Sequence, residues 1–213
     1  MLQQSSRSPV FSMLIALTGG IATGKTTFRN LLGERFALEV FDADACVHSL
    51  LSSNPEIVSA IAETFGDGVI SEGGQVDRPA LRPLVFADPE ARRRLEAILH
   101  PAVRSRWQAQ LEACRVSGRD FLADIPLLFE TSGQDYFDAT VVVAASAATQ
   151  RERLAARGLG LETAEAMLAS QWPMLEKISR ATAVVWNDGT LRALAHQADL
   201  LLECLSLRQQ QNR

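Results

Sequence analysis

The chain has 213 residues, 47% of them hydrophobic, and a formal net charge of −4 at pH 7. That length and apolar content suit one domain with a sizeable core, and the acidic balance argues against a general nucleic-acid surface, which would be basic overall. Cys46, Cys114 and Cys204 are odd in number and widely spaced, so neither a disulfide framework nor a zinc spacing is present, which suits a reducing cytoplasm.

Residues 1–12 read as a loose leader, polar and then briefly apolar at Val10-Phe11, with no small-residue cleavage site before the next element. No apolar stretch approaches the ~20 residues of a membrane span. Met13 to Thr18 reads as a first strand that runs straight into Gly19-Gly20-Ile21-Ala22-Thr23-Gly24-Lys25-Thr26. Gly, four residues, Gly, Lys and Ser/Thr is the spacing of a phosphate loop. Its glycines let backbone N–H groups turn inward around phosphate oxygens, and the helix that follows points its N-terminus at the same anion. Gly20, Ile21, Ala22, Thr23, Gly24, Lys25, Thr26 and Thr27 are therefore the candidate nucleotide cradle, with Lys25 on the β/γ-phosphates and the Thr26 hydroxyl on Mg²⁺.

A helix from Thr27 to Arg35 gives way to a short apolar run, Leu38 to Phe41, ending in Asp42-Ala43-Asp44. Acids beyond the carboxyl end of a strand sit where open α/β sheets bind ligands, although one of the two is equally suited to cap the helix beginning near Ala45. From about 52 to 118 the pattern is helical. Asn54-Pro55 opens one helix closed by Gly66, Asp88-Pro89 opens a second, and Pro101 begins a third. His100 would sit in the joint before that proline. Arg78 follows a Gly/Asp-rich turn and lies on no clear amphipathic face. This excursion is longer than a crossover needs and is a candidate acceptor-binding region.

Phe121 to Asp124 is an apolar strand ending in an acid, the setting of a carboxylate that holds a Mg²⁺ hydration shell. Ala139 to Ala144 is a β-branched run of the kind buried on both faces of a parallel sheet. Arg151, Arg153 and Arg157 then fall within a segment ending at Gly158, a candidate lid of about residues 149–172 whose arginines would neutralise a transferring phosphoryl group, except that Arg151 reads better as a paired residue on a surface helix. Thr182 to Trp186 is a last strand before Asn187-Asp188-Gly189, and an amphipathic helix precedes a polar tail at 209–213. Strand alternating with helix predicts one α/β domain over 13–208, a doubly wound parallel sheet of about five strands.

The ordered set of motifs resembles the dephospho-CoA kinase family, over about residues 13 to 205. It comprises Leu17-Thr18-Gly19-Gly20-Ile21, Asp42-Ala43-Asp44, Val76-Asp77-Arg78 to Val85-Phe86, Leu99-His100-Pro101, Asp124-Ile125-Pro126-Leu127-Leu128-Phe129-Glu130, Gln150 with Arg153 and Arg157, and Asn187-Asp188-Gly189. The resemblance implies ATP and Mg²⁺ as cofactors and phosphorylation of the ribose 3′-hydroxyl of dephospho-CoA, with no nucleic-acid or membrane partner. It makes Asp44 the base, with Lys25 and Arg157 the other catalytic groups. It puts Arg78, His100 and Asp124 with Asp44 on the acceptor side, and Arg153 and Asn187 on the nucleotide side. Three positions depart from the family pattern: Ala22 where Gly is common, His48 where Arg often follows the two acids, and Trp186 where Asp usually precedes the Asn. A shikimate kinase would share the loop but carry a Gly-Gly-Gly acceptor motif. A GTP-dependent switch would carry Asn-Lys-x-Asp. Neither motif occurs.

Overall fold

Within the computed structural model, which describes residues 13–211, the chain's strands and helices alternate around one sheet. The leader at 1–12 and the last two residues of the expected tail lie outside the described residues, and 209–211 continue the final helix. In chain order the elements are β1 (Leu14–Gly19), α1 (Lys25–Arg35), β2 (Glu39–Asp42), α2 (Ala43–Ser53), α3 (Pro55–Phe65), α4 (Arg78–Ala87), α5 (Pro89–Ser117), β3 (Phe121–Asp124), β4 (Ala139–Ala144), α6 (Ala147–Ala156), α7 (Leu161–Ala169), α8 (Met174–Arg180), β5 (Ala183–Trp186) and α9 (Leu191–Gln211). Short 3₁₀ turns occupy Asp67–Val69 and Gln134–Tyr136.

The sheet has five parallel strands in the order β2-β3-β1-β4-β5. The order reverses direction after β1, so the phosphate loop that leaves β1 emerges at the switch point where such sheets bind ligands. Every residue of β1, β3 and β4 is buried, which explains why these strands read as unbroken apolar runs rather than alternating ones.

The described residues divide into two compact units, one made of 13–40 with 113–211 and the other of 41–112. In the first, Ile15, Leu17, Phe28, Leu32, Val141, Val143, Leu194 and Ala198 share one core. α1 and α9 contribute their apolar stripes to it. In the second unit, Leu50, Leu51, Ile57, Ile61, Val69, Val76, Leu81 and Leu99 form a separate core.

Local chemistry sets the helix ends. Asn54 caps α3 by accepting from the Ile57 N–H at 3.0 Å, Pro55 follows it, and Gly66 closes the helix at φ 84°. The joint expected at His100-Pro101 is not formed. α5 runs unbroken from Pro89 to Ser117 with Pro101 inside it, so His100 is helical. Proline forfeits one hydrogen bond there, and the apolar contacts of Leu99, Trp107 and Leu111, all buried, favour keeping one helix. α4 begins at Arg78, directly after the turn. Asp77 accepts from the Ala80 N–H at 3.1 Å, which makes the Gly/Asp-rich turn before Arg78 a helix start.

Candidate active site

Two glycines give the phosphate loop its path. Gly19 passes the backbone of β4 so closely that a Cβ would run into the Val143 carbonyl oxygen. Gly24 stands at φ 88° as the N-cap of α1, and a Cβ there would strike the Asn187 amide. Ala22 also takes a left-handed backbone, at φ 57°. That conformation costs a non-glycine residue about 1–2 kcal/mol. Its methyl is buried with Leu154 and Ala164, which offsets part of the cost.

Side chains from later in the chain hold the loop's backbone. Gln150 Nε2 donates to the Ile21 carbonyl at 2.6 Å, and the Ile21 N–H donates to Gln171 Oε1 at 3.0 Å. Arg153 donates to the Ala22 carbonyl at 3.2 Å and to the Asn187 carbonyl at 2.8 Å. Asn187 Nδ2 in turn donates to the Thr23 carbonyl at 2.8 Å. Arg153 and Asn187 therefore meet at the loop through backbone carbonyls. Gln171 was not legible as a loop contact, since nothing about a glutamine after a helix marks a partner 150 residues away.

The charged centre joins α1 to the end of β3. Lys25 Nζ is ion-paired with Asp124 Oδ1, and Arg29 Nη1 lies 3.3 Å from Asp124 Oδ2. Asp124 is only 2% exposed, so these cations make its burial tolerable. Arg29 was not singled out in the sequence; four residues after Lys25 on a helix places it on the same face. The donor set fits Mg²⁺. Thr26 is exposed and offers a hydroxyl, Asp124 offers a carboxylate, and Mg²⁺ in phosphoryl-transfer sites takes one or two such oxygens with the rest from phosphate and water. Among the described residues no cluster of three or more His, Cys, Asp or Glu side chains forms a cage of its own.

Arg157 ends α6 as its C-cap, exposed, with Gly158 following at φ 78°. The remaining expected residues belong to the second unit. Asp42 caps α2 by accepting from the N–H groups of Asp44 and Ala45 at 2.9 and 3.1 Å, which leaves Asp44 an exposed side chain in the first turn. Arg78 is exposed at the start of α4, His100 is half-buried in α5, and His48 is exposed on α2. The Cys46 thiol, on α2, is pushed up by burial, with Arg106 opposing.

Asp188 braces the same end of the sheet as Asn187. Its Oδ1 accepts from the Ser146 N–H at 2.8 Å, and its Oδ2 from the indole Nε1 of the half-exposed Trp186 at 3.0 Å. The Ser146 N–H, first among several hydrogen bonds, holds its carboxyl below the ordinary 3.8. A depressed folded-state pKa contributes stability above the unfolded value and loses it as pH falls through the folded one. Asp188→Asn should therefore lower Tm at neutral pH, with the gap to the unsubstituted chain holding down to about the ordinary value and closing below it. A gap that stayed constant into strong acid would show that shape, and not charge, matters there.

The sequence profile of the dephospho-CoA kinase family matches residues 13–193. The chain is 48% identical over 191 residues to the dephospho-CoA kinase of Anaeromyxobacter dehalogenans, covering 89% of this chain and 90% of that one. It is 45% identical over 180 residues to that of Symbiobacterium thermophilum, covering 84% and 75%. A solved Thermus thermophilus structure superposes with a TM-score of 0.73 at 35% identity, covering 91% of this chain and 97% of the other. With a phosphate loop at the switch point of a five-stranded parallel sheet and a family match over most of its length, the chain belongs to the dephospho-CoA kinase family.

Proposed function

We propose that the chain transfers the γ-phosphoryl group of ATP to the ribose 3′-hydroxyl of dephospho-CoA, giving coenzyme A and ADP in the cytoplasm. The observation that carries this reading is the meeting of Lys25 and Asp124 beneath a phosphate loop in a chain of this family. Among the described residues no helix is long and apolar enough to cross a membrane.

The loop N–H groups from Ala22 to Thr27 bind the phosphates, and Lys25 exchanges Asp124 for phosphate oxygen when ATP arrives. Thr26 and Asp124 would hold Mg²⁺, which supplies charge neutralisation across the phosphates. Asp44 takes the proton of the ribose hydroxyl as its oxygen bonds to phosphorus, while the bond to the bridging oxygen breaks and ADP leaves with that electron pair. Arg78 and His100 orient the acceptor.

Arg157 is the arginine delivered to the transferring group on closure; it is exposed at a helix end, beside a glycine able to turn. Arg157→Ala should reduce turnover about tenfold or more while ATP affinity changes little, because an interaction formed on closing acts on the transition state. Equal losses in both would make it a ground-state contact.

A coupled ADP-release assay with dephospho-CoA, adenosine, AMP and shikimate as acceptors tests the function, run with ATP and with GTP. Turnover should be highest with dephospho-CoA and ATP. Preference for another acceptor would overturn the assignment.

A further inference from the structure

Lys177, on α8, is wholly buried at 0% exposure and is not among the groups that the phosphate-transfer reading uses. An ammonium is buried only where it is paired and hydrogen-bonded. Its Nζ lies 2.8 Å from Glu130 Oε1 and donates to the Pro126 carbonyl at 3.1 Å. Pro126 is two residues beyond Asp124, and its carbonyl also accepts from Thr18 Oγ1 at 3.0 Å, one residue before the phosphate loop begins. One carbonyl oxygen thus joins the end of β1, the turn that carries Asp124, and α8.

The residues just before α8 add two more ties. Gln171 accepts from the Ile21 N–H of the phosphate loop at 3.0 Å, and the Trp172 N–H donates to Glu130 Oε1 at 3.3 Å. Over seven residues, 171–177 therefore grips both elements whose spacing decides whether Lys25 and Asp124 can act together. Stability alone is a poor account of such a pair. Glu130 Oε2 is buried without a hydrogen-bond partner among the described residues, and a buried ion pair can often be replaced by apolar side chains without loss.

We propose that Lys177 is a positioning residue for phosphoryl transfer, fixing the Asp124 turn against the phosphate loop through the Pro126 carbonyl and Glu130. The inference rests on the phosphate-transfer reading above. Small displacements of reacting groups cost up to about a hundredfold in rate, so the effect belongs in turnover beyond any loss of fold.

The test compares Lys177→Met with the double variant Lys177→Met/Glu130→Leu. Tm, turnover with dephospho-CoA, and ATP affinity by titration calorimetry without acceptor are measured for each. Lys177→Met leaves Glu130 buried without its cation and should lower Tm; the double variant removes that carboxylate and should recover part of Tm, since the Trp172 N–H loses its acceptor. Turnover should stay about 10–100-fold down in both, and ATP affinity about tenfold weaker in both, because neither restores the grip on Pro126. Recovery of turnover and ATP affinity together with Tm in the double variant would reduce Lys177 to a structural role. If the unsubstituted protein failed to phosphorylate dephospho-CoA, the functional reading would fall, and the calorimetric comparison would still decide for or against Lys177. A single variant too unstable to assay leaves the decision to the double one.

Discussion

Lys25→Ala should lose roughly two orders of magnitude in turnover and keep its fold. One electrostatic contact at the transition state contributes about 3 kcal/mol, and the ammonium at Lys25 is the cation placed by the phosphate loop itself. The structure adds a control. Asp124, nearly buried, would keep Arg29 as a counter-ion at 3.3 Å after Lys25 is removed, so the carboxylate is not stranded. Tm should therefore fall only modestly, and circular dichroism with a thermal melt separates lost chemistry from lost fold. Near-normal turnover in a folded Lys25→Ala would remove the phosphate-loop assignment, and with it the functional reading.

Asp44→Asn should bind ATP and dephospho-CoA and lose about two or more orders of magnitude in single-turnover rate. The substitution keeps the side chain's shape and removes the proton acceptor. Asp42 provides the comparison because its carboxylate is already engaged as a helix cap, with Oδ1 holding the N–H groups of Asp44 and Ala45, the second and third residues of α2. Asparagine caps a helix about as well as aspartate, so Asp42→Asn should stay folded and largely active. Were Asp42→Asn inert and Asp44→Asn active, the two acids would have exchanged roles. Acceptor affinity measured alongside the rate distinguishes a lost base from a lost binding contact.

The legible parts of this chain were those whose causes are local. Gly19 to Thr26 announced a loop because its φ values and close approaches demand glycine at fixed spacing, and Gly24 at φ 88° meets that demand. Asn54-Pro55 and Gly66 bounded α3 because capping is decided within a few residues. β4 was readable because burial on both faces leaves a run of valines. The sequence pointed less well where distant packing outweighed a local rule. Pro101 looked like a helix start, yet the contacts of Leu99 and Trp107 keep α5 continuous through it. Gln171, Glu130 and Lys177 were beyond reach for a related reason. Apart from the ion pair of Lys177 with Glu130, their partners are the Ile21 N–H, the Trp172 N–H and the Pro126 carbonyl, and backbone atoms leave no signature of their own in the sequence. The pairing of Lys25 with Asp124 lies between these cases: each residue is marked by its motif, and only the sheet order, which sets β3 beside β1, makes them neighbours.

If Lys25 binds phosphate as proposed, that pairing makes Asp124 an intramolecular competitor for the Lys25 ammonium until nucleotide and Mg²⁺ take over both partners. Tethered to the neighbouring strand, it reaches Lys25 at a high effective concentration that does not fall on dilution. On the proposed reading, the apparent ATP affinity is the intrinsic affinity of the loop reduced by the fraction of chains in which Lys25 has left the carboxylate. Because the pair is largely shielded from water, with side-chain exposures of 12% and 3%, dissolved salt screens it less than it screens free phosphate in solution. On that reading nucleotide affinity is an exchange of one counter-ion for another, and its strength reflects the tether as much as the cradle.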